Sequence, residues 1–258
     1  MASIPSTRPE SVFYSQFGED QILARLFSNK ETGTCVDVGA HDGVQLSNSY
    51  YFEQIGWRCV LVEPAPHLCA AIRKNRRSPV FECAASEREG RAILQIVEGA
   101  DVYSSLMGAS DRNAANQSGG DQTRGTSVRT RPLDDILAEA GVDQIDFISI
   151  DVEGHELSVL RGFSLERWKP RIAIIEDNSN LSDRSVAQYL RDRGYVRFYR
   201  TGVNDWYAAP SERKLRNLLP LVLSRQWGAK GLVKAWSPMP VRRCVAFLRK
   251  LYNARAKS

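Results

Sequence analysis

Several features are absent from this sequence of 258 residues. It contains no run of 18 apolar residues, so it predicts no membrane-spanning helix. Its first 16 residues have no apolar core of the signal-peptide kind, which predicts that the protein is not exported. The cysteines number five, an odd count, and none forms a C-x-x-C pair. Neither a disulfide framework nor a structural zinc site is therefore expected, and the setting predicted is a reduced, cytoplasmic one.

Acidic residues are nearly absent from the end of the chain. Residues 211–258 hold 12 Lys and Arg but a single acid, a net charge of +11, whereas residues 1–210 carry −6. We therefore divide the chain into an α/β domain, 1–210, and a basic extension, 211–258. Such an imbalance concerns binding partners rather than the fold.

Short apolar runs alternate with segments of helical spacing. The predicted strands are 34–38, 58–63, 80–85, 92–97, 146–152 and 171–176. Helices are predicted from a cap at Ser47 and Asn48 to residue 54, and over 66–76, 155–163 and 186–193. The stretches 195–199 and 205–208 predict a closing hairpin. This order predicts an α/β fold with a mainly parallel sheet covered by helices on both faces.

Residues 99–125 do not fit this pattern, because they are rich in Gly, Ser, Asn and Asp and have no apolar period. A loop of this length is either a functional lid or disordered. Tyr103, Ser104 and Ser105 are candidates for contact with a substrate, although a merely mobile loop is an equal alternative.

The first predicted strand ends in the turn VDVGAHDG, residues 36–43. It lacks the G-x-G-x-x-G pattern of a pyrophosphate-binding turn and carries Asp37 and Asp42. Carboxylates repel a pyrophosphate but suit the ammonium and sulfonium groups of S-adenosylmethionine. Glu63 ends the second strand, where a carboxylate receives ribose hydroxyls in nucleotide-binding α/β units. The alternative is a pair of turn glycines beside a solvated acid.

Five segments in order resemble the FkbM-type methyltransferase family. They are YSQFGEDQIL (14–23), VDVGAHDG, SNSYYFEQIGW (47–57), LVEP (61–64) and IDFISIDVEGHELSVLRG (145–162). With RIAIIE (171–176), the resemblance covers about 14–208. It implies the Rossmann-like class I methyltransferase fold and transfer of a methyl group from S-adenosylmethionine, usually to a hydroxyl of a sugar or secondary metabolite.

The resemblance also implies positions for the cofactor. Asp37, Gly39 and Gly43 would form the wall beside the methionine part, Glu63 would hold the ribose, and the turn at Ala84, Ala85 and Ser86 would border the adenine. The amino-terminal Ser15, Gln16, Glu19 and Asp20 would cover the cofactor. The complete set of cofactor-binding candidates adds Ala40, Ser47, Asn48 and Asp151.

Methylation of a hydroxyl requires alignment and a group that accepts its proton. Asp151, Glu153 and His155 follow the strand 146–152 and are the catalytic candidates. The alternative is that Asp151 binds backbone amides, Glu153 caps a helix and His155 points to solvent. Oxygen ligands from Asp20, Asp151, Glu153 and Glu176 could converge on a metal. No spacing demands a metal, and none is predicted.

The basic extension carries two apolar faces, one of them formed by Val241, Cys244, Val245, Leu248 and Tyr252. One interpretation is a pair of helices packed on the domain, and the other is a surface that meets anionic lipid beside a lipid-linked glycan acceptor. Nucleic acid is the rival partner.

An RNA methyltransferase is accordingly the rival enzyme, although the N-P-P-Y and D-P-P-Y motifs are absent. A non-catalytic nucleotide-binding module is the third alternative. The sequence does not fix the oligomeric state.

Overall fold

The structure is a computed structural model that describes residues 12–97, 104–107, 123–179 and 181–212. The helices are α1 (Glu19–Leu26), α2 (Tyr50–Gln54), α3 (Pro66–Asn75), α4 (Leu133–Glu139), α5 (Glu156–Arg161), α6 (Leu165–Trp168) and α7 (Ser185–Asp192). The strands are β1 (Thr34–Val38), β2 (Arg58–Glu63), β3 (Val80–Glu82), β4 (Ala84–Ala85), β5 (Gly90–Val97), β6 (Ser104–Met107), β7 (Thr123–Arg131), β8 (Phe147–Ile150), β9 (Ile172–Glu176), β10 (Val196–Thr201) and β11 (Asn204–Ala208). No helix in these described ranges is long and apolar enough to cross a membrane.

Seven strands form the central sheet in the order β10-β11-β9-β8-β1-β2-β3. Strands β3, β2, β1, β8 and β9 run parallel, and the β10–β11 hairpin joins β9 through an antiparallel pairing. This confirms the predicted mainly parallel sheet with a closing antiparallel hairpin. The chain proceeds outward from β1 to β3 on one side and from β8 to β9 on the other. A crevice therefore opens at the carboxyl ends of β1 and β8, where strand order reverses.

Helices cover both faces of this sheet, as predicted. Val36, Val60 and Ile148 point to the face packed with α4, α5, α6 and α7. Their neighbours Cys35, Cys59 and Phe147 point to the face packed with α1, α2 and α3. Successive side chains of a strand face opposite ways, so a sheet covered twice requires continuous apolar runs.

A second sheet, in the order β4-β7-β5-β6, differs from the prediction. The predicted strand 80–85 is split, because Val80–Glu82 pairs with β2 whereas Ala84–Ala85 pairs with β7. Ser104 and Ser105 lie in β6, opposite Ile96 and Gln95. The prediction that 99–125 has no secondary structure, and with it the disorder alternative, is therefore wrong for 104–107 and 123–125, whereas a lid role stays a prediction. Residues 98–103, including Tyr103, and 108–122 lie outside the described residues.

The described part of the chain ends with Glu212, which pairs with Arg171 at 2.7 Å beside β9. This contact ties the segment after β11 back to the sheet. The division at residue 210 stays a prediction, and 213–258 lie outside the described residues.

Candidate active site

A cleft lies at the carboxyl ends of β1, β2 and β8 and brings together most of the predicted residues. Nine of the cofactor-binding candidates line it: Asp37, Gly39, Ala40, Ser47, Asn48, Glu63, Ala84, Ala85 and Asp151. Glu153 also lines it. Parallel strands end at one edge of the sheet, so acids that end different strands meet there. No Lys or Arg is found among the described lining residues.

Gly39 is fixed by the approach of two backbone segments. Its φ is +84°, and a Cβ at this position would lie 1.7 Å from the carbonyl oxygen of Asp151. The amides of Gly39 and Ala40 both donate to the Val62 carbonyl, at 2.9 and 3.1 Å. Glycine is therefore required at position 39 for the close contact between the turns after β1 and β8. The same lack of a side chain would let a ligand approach this backbone.

Asp37 is buried beneath this turn. Its Oδ2 accepts hydrogen bonds from the hydroxyls of Ser49, at 2.6 Å, and Ser47, at 3.3 Å. Desolvation raises the pKa of Asp37, against the opposing effect of these hydroxyls and of Arg76. The N-cap of α2 is Ser49 rather than the predicted Ser47 or Asn48, but the Ser47 hydroxyl accepts the amides of Ser49 and Tyr50.

Arg76 supports the turn from below with a fully buried side chain. Its guanidinium donates to Glu53 at 3.0 Å, to the Gly43 carbonyl at 2.6 Å and to the Ser49 hydroxyl at 3.2 Å. Gly43, with a φ of +81°, is held by this contact and does not line the cleft. Asp42 is likewise engaged in the turn, where Oδ1 accepts the amides of residues 44 and 45.

Glu63 projects into the cleft from the end of β2 and is 5% exposed. Its Oε2 accepts the amide of His41 at 3.0 Å, and its Oε1 accepts that of Ala65 at 2.9 Å. Desolvation raises the pKa of Glu63 to about 7, against these hydrogen bonds. Each oxygen retains acceptor capacity for a ligand hydroxyl.

An apolar wall continues the cleft beyond Glu63. Ala84 and Ala85 lie in it as predicted, together with Leu68 and Leu94, which the sequence did not single out. Ser86 does not line the cleft, because its hydroxyl lies 3.3 Å from His155 Nε2 and 3.1 Å from Ser158 Oγ.

Three carboxyl groups converge at the ends of β8 and β9. Asp151 and Glu153 line the cleft, whereas Glu176 lies behind them and does not line it. Ligand oxygens of Asp151, Glu153 and Glu176 all lie within 4.8 Å of one another. Desolvation raises the pKa of Asp151, whereas its hydrogen bond with Glu176 lowers it. Desolvation and the neighbouring acids raise the pKa of Glu153 to about 7 and that of Glu176 to about 9. Like charges held this close favour protonation or a cation.

His155 points away from this group. It precedes α5, its Nε2 faces Ser86, and it is absent from the cleft lining. Desolvation lowers its pKa, so the ring is neutral near pH 7. The backbone amides after β8 are bound by Glu156, whose Oε1 accepts that of Gly154 at 2.9 Å, rather than by Asp151.

The amino-terminal segment lies beside the cleft. Ser15 forms a β-bridge with Leu46 of the cleft wall, and Gln16 is exposed. Glu19 and Asp20 are fully buried. Glu19 accepts hydrogen bonds from Thr201, Asn204 and the Phe17 amide, and Asp20 accepts them from Tyr14 and Ser15. Both acids therefore anchor the segment, and their contact with a cofactor stays a prediction.

Strained backbone and unsatisfied atoms concentrate in the cleft. His41, Leu46 and Glu153 line it with φ values of +52°, +57° and +52°, a conformation that costs a non-glycine residue free energy. The buried His41 Nε2 and Asn48 Oδ1 have no hydrogen-bond partner among the described residues. Both atoms are available to a ligand. No motif identified His41 or Leu46 as site residues.

This fold and cleft define a Rossmann-like enzyme with an acidic site at the strand ends. The chain matches the family model described as "Methyltransferase FkbM domain" over residues 37–197, more than half its length. It therefore belongs to the FkbM methyltransferase family, and its methyl donor is S-adenosylmethionine.

A curated relative is the 2-O-methyltransferase NoeI of Sinorhizobium fredii. It is 34% identical over 167 residues, which cover 60% of this chain and 67% of NoeI. The prediction of an S-adenosylmethionine-dependent O-methyltransferase is thus confirmed at the level of the family.

Solved structures resemble the chain only distantly. The precorrin-6y C5,15-methyltransferase of Geobacter metallireducens is 14% identical, with a TM-score of 0.41 over 78% of this chain and 90% of its own. The O-methyltransferase of Bacillus cereus in complex with SAH is 11% identical, with a TM-score of 0.41 over 78% and 83%.

Proposed function

We propose that the enzyme methylates a hydroxyl of a sugar, a glycan or a secondary metabolite. The observation that carries this proposal is the cleft in which Asp37 and Glu63 face Asp151 and Glu153 across the point where strand order reverses. One wall has the chemistry to hold the methyl donor, and the other has acids suited to a hydroxyl. The name of the relative NoeI, a 2-O-methyltransferase, supports oxygen as the acceptor atom.

The donor fits the first wall with its ribose at Glu63. Two ribose hydroxyls donating to this carboxylate are charge-assisted hydrogen bonds, each contributing about 1.5–3 kcal/mol. Its adenine would lie against Ala84, Ala85 and Leu94, and its methionine part beside Asp37 and Gly39. This arrangement directs the sulfonium methyl towards the β8 turn.

Asp151 is the proposed acceptor-positioning residue of the second wall. As the acceptor oxygen forms its bond to the methyl carbon, the bond from that carbon to sulfur breaks and the hydroxyl proton passes to a carboxylate oxygen. Its raised pKa makes Asp151 a stronger proton acceptor than an ordinary aspartate. Glu153 lies beside it, whereas His155, the competing base among the predicted residues, faces Ser86 outside the cleft lining.

The acceptor class is tested by incubating the full chain with methyl-labelled S-adenosylmethionine and separate pools of glycans and glycolipids, small metabolites, and RNA. We expect label in an alkali-stable ether of a glycan or metabolite. Label confined to RNA would establish the rival enzyme, and S-adenosylmethionine binding without transfer to any pool would favour the non-catalytic module.

Asp151→Asn tests the chemistry because it keeps the shape of the side chain and removes its charge. We expect turnover to fall by about 10²–10⁴ while cofactor affinity changes little. His155→Ala is the matched comparison. A larger loss there would transfer the role to His155, and near-normal turnover in both variants would contradict both assignments.

We infer from charge alone that the basic extension, 211–258, contacts anionic lipid and holds a cytoplasmic enzyme near lipid-linked glycan. Removal of 241–258 should leave cofactor binding intact and reduce binding to vesicles of anionic phospholipid. Unchanged vesicle binding would refute this inference, and a selective loss of RNA binding would favour the rival partner.

A further inference from the structure

We propose that Asp151, Glu153 and Glu176 bind a hard divalent cation of the Mg²⁺, Mn²⁺ or Ca²⁺ class. The cation would hold the acceptor hydroxyl, and this part of the inference rests on the proposed function.

The spacing of the three carboxyl groups fits such an ion. Two oxygens on opposite sides of a cation lie about 4.2 Å apart for Mg²⁺ and about 4.6–5.2 Å apart for Ca²⁺, twice the metal–oxygen bond. The cluster oxygens lie within 4.8 Å of one another. One ion fits between them with small side-chain movements, and carboxylate oxygens are the ligands that hard cations prefer.

Glu176 supplies an independent observation. It is 7% exposed, and its Oε2 has no hydrogen-bond partner among the described residues. Glu176 contacts Asp151, but two ionised carboxylates are both acceptors and cannot satisfy each other. A buried acceptor left without a donor is costly, and either a shared proton or a cation removes that cost.

Within the described residues, no Lys or Arg neutralises the cluster. None of the ion pairs there joins a Lys or Arg to Asp151, Glu153 or Glu176. Asn178 Nδ2 donates a side-chain amide hydrogen bond to Glu153 Oε2 at a long 3.4 Å. The next acid, Asp177, is instead held by Arg200 at 3.1 Å.

The backbone also fits a role for Glu153 as a ligand. Its φ of +52° is a strained conformation that turns the side chain back towards the end of β9. Such strain persists where the surrounding structure enforces it, and it is common at ligand sites. Asp20, the fourth acid considered as an oxygen ligand, does not join the cluster, because it is fully buried and bound to Tyr14 and Ser15.

A cation here would lower the pKa of a coordinated acceptor hydroxyl and fix its direction of attack. An Asp151 oxygen that is not bound to the cation can receive the proton as the methyl group moves from sulfur to oxygen. The cation and the acid thus act on the same oxygen.

The test is a titration of the metal-free full chain with Mn²⁺, followed by electron paramagnetic resonance, with Mg²⁺ and Ca²⁺ as competitors. We expect one saturable Mn²⁺ per chain. Loss of a direct ligand should weaken binding at least about tenfold, so Asp151→Asn, Glu153→Gln and Glu176→Gln are each expected to show this loss. Glu82→Gln, at an exposed acid paired with Arg73, is the matched control and should bind normally.

S-adenosylmethionine binding is measured in each variant to show that it is folded. If Glu176→Gln does not fold, the half-buried Glu153 still tests the site. Absence of saturable Mn²⁺ binding at millimolar concentration, or undiminished binding in the three carboxylate variants, would overturn the proposal. Since this readout needs no acceptor, failure of the glycan assay alone leaves the metal result standing.

Discussion

The pH dependence of cofactor binding follows from Glu63. Its pKa of about 7 in the free protein means that roughly a tenth of the molecules carry the ionised group at about pH 6 and about nine tenths at about pH 8. Ribose hydroxyls donate to the ionised form and therefore lower its pKa on binding. Affinity should be maximal above pH 7 and decrease as the pH falls through 7, by about tenfold between pH 8 and pH 6.

Calorimetric titration with S-adenosylmethionine at several pH values measures this slope. The matched control is Glu63→Gln, which binds more weakly and has no titrating group at this position. The ligand's own amino group has a pKa of about 8 and titrates equally with both proteins, so it cancels in the comparison. Equal slopes for the two proteins, or tighter binding at the lower pH, would refute the placement of the ribose at Glu63.

Two further predictions concern the support of the cleft. Gly39→Ala should lower the free energy of unfolding by more than about 2 kcal/mol, whereas Gly56→Ala, with a φ of +92° and open space around it, should cost only about 1 kcal/mol in the same denaturation assay. An equal loss of unfolding free energy in the two variants would contradict the close contact between Gly39 and the Asp151 carbonyl. Arg76→Ala should destabilise the fold by about 3 kcal/mol and also weaken cofactor binding, and a stability loss with unchanged affinity would separate Arg76 from the site.

The central sheet was predictable because it is buried on both faces. β1 and β2 coincide with their apolar runs at 34–38 and 58–63, and the hairpin was placed within two residues. β7 was missed because its sequence, TRGTSVRTR, is mostly polar and turns Val128 and Thr130 inward. Its pairing with β5 supplies the stability that local sequence does not reveal.

The acidic wall was predictable for a different reason. Side chains at the carboxyl ends of parallel strands lie close together whatever the conformation of the following loops. Asp37, Glu63 and Asp151 could therefore be placed from the strand boundaries alone. His155 stands four residues beyond such an end, where the conformation of the turn decides direction, and it faces Ser86. Histidine is enriched among non-glycine residues with a positive φ, but this preference is too weak to identify the left-handed conformation of His41 from sequence.

The residues that shape the cleft are largely different from those that would touch a ligand. Arg76 fixes the carbonyl of Gly43 and the hydroxyl that binds Asp37, and Glu156 fixes the amides of the β8 turn. These buried hydrogen bonds offset the conformational free energy of the left-handed residues that line the cleft. A turn held at several points cannot relax to a conformation of lower backbone strain. A site held in this way is pre-organised, so less free energy is spent on ordering it when a ligand binds. Substitutions at Arg76 or Glu156 should therefore change cofactor affinity without any contact with the cofactor.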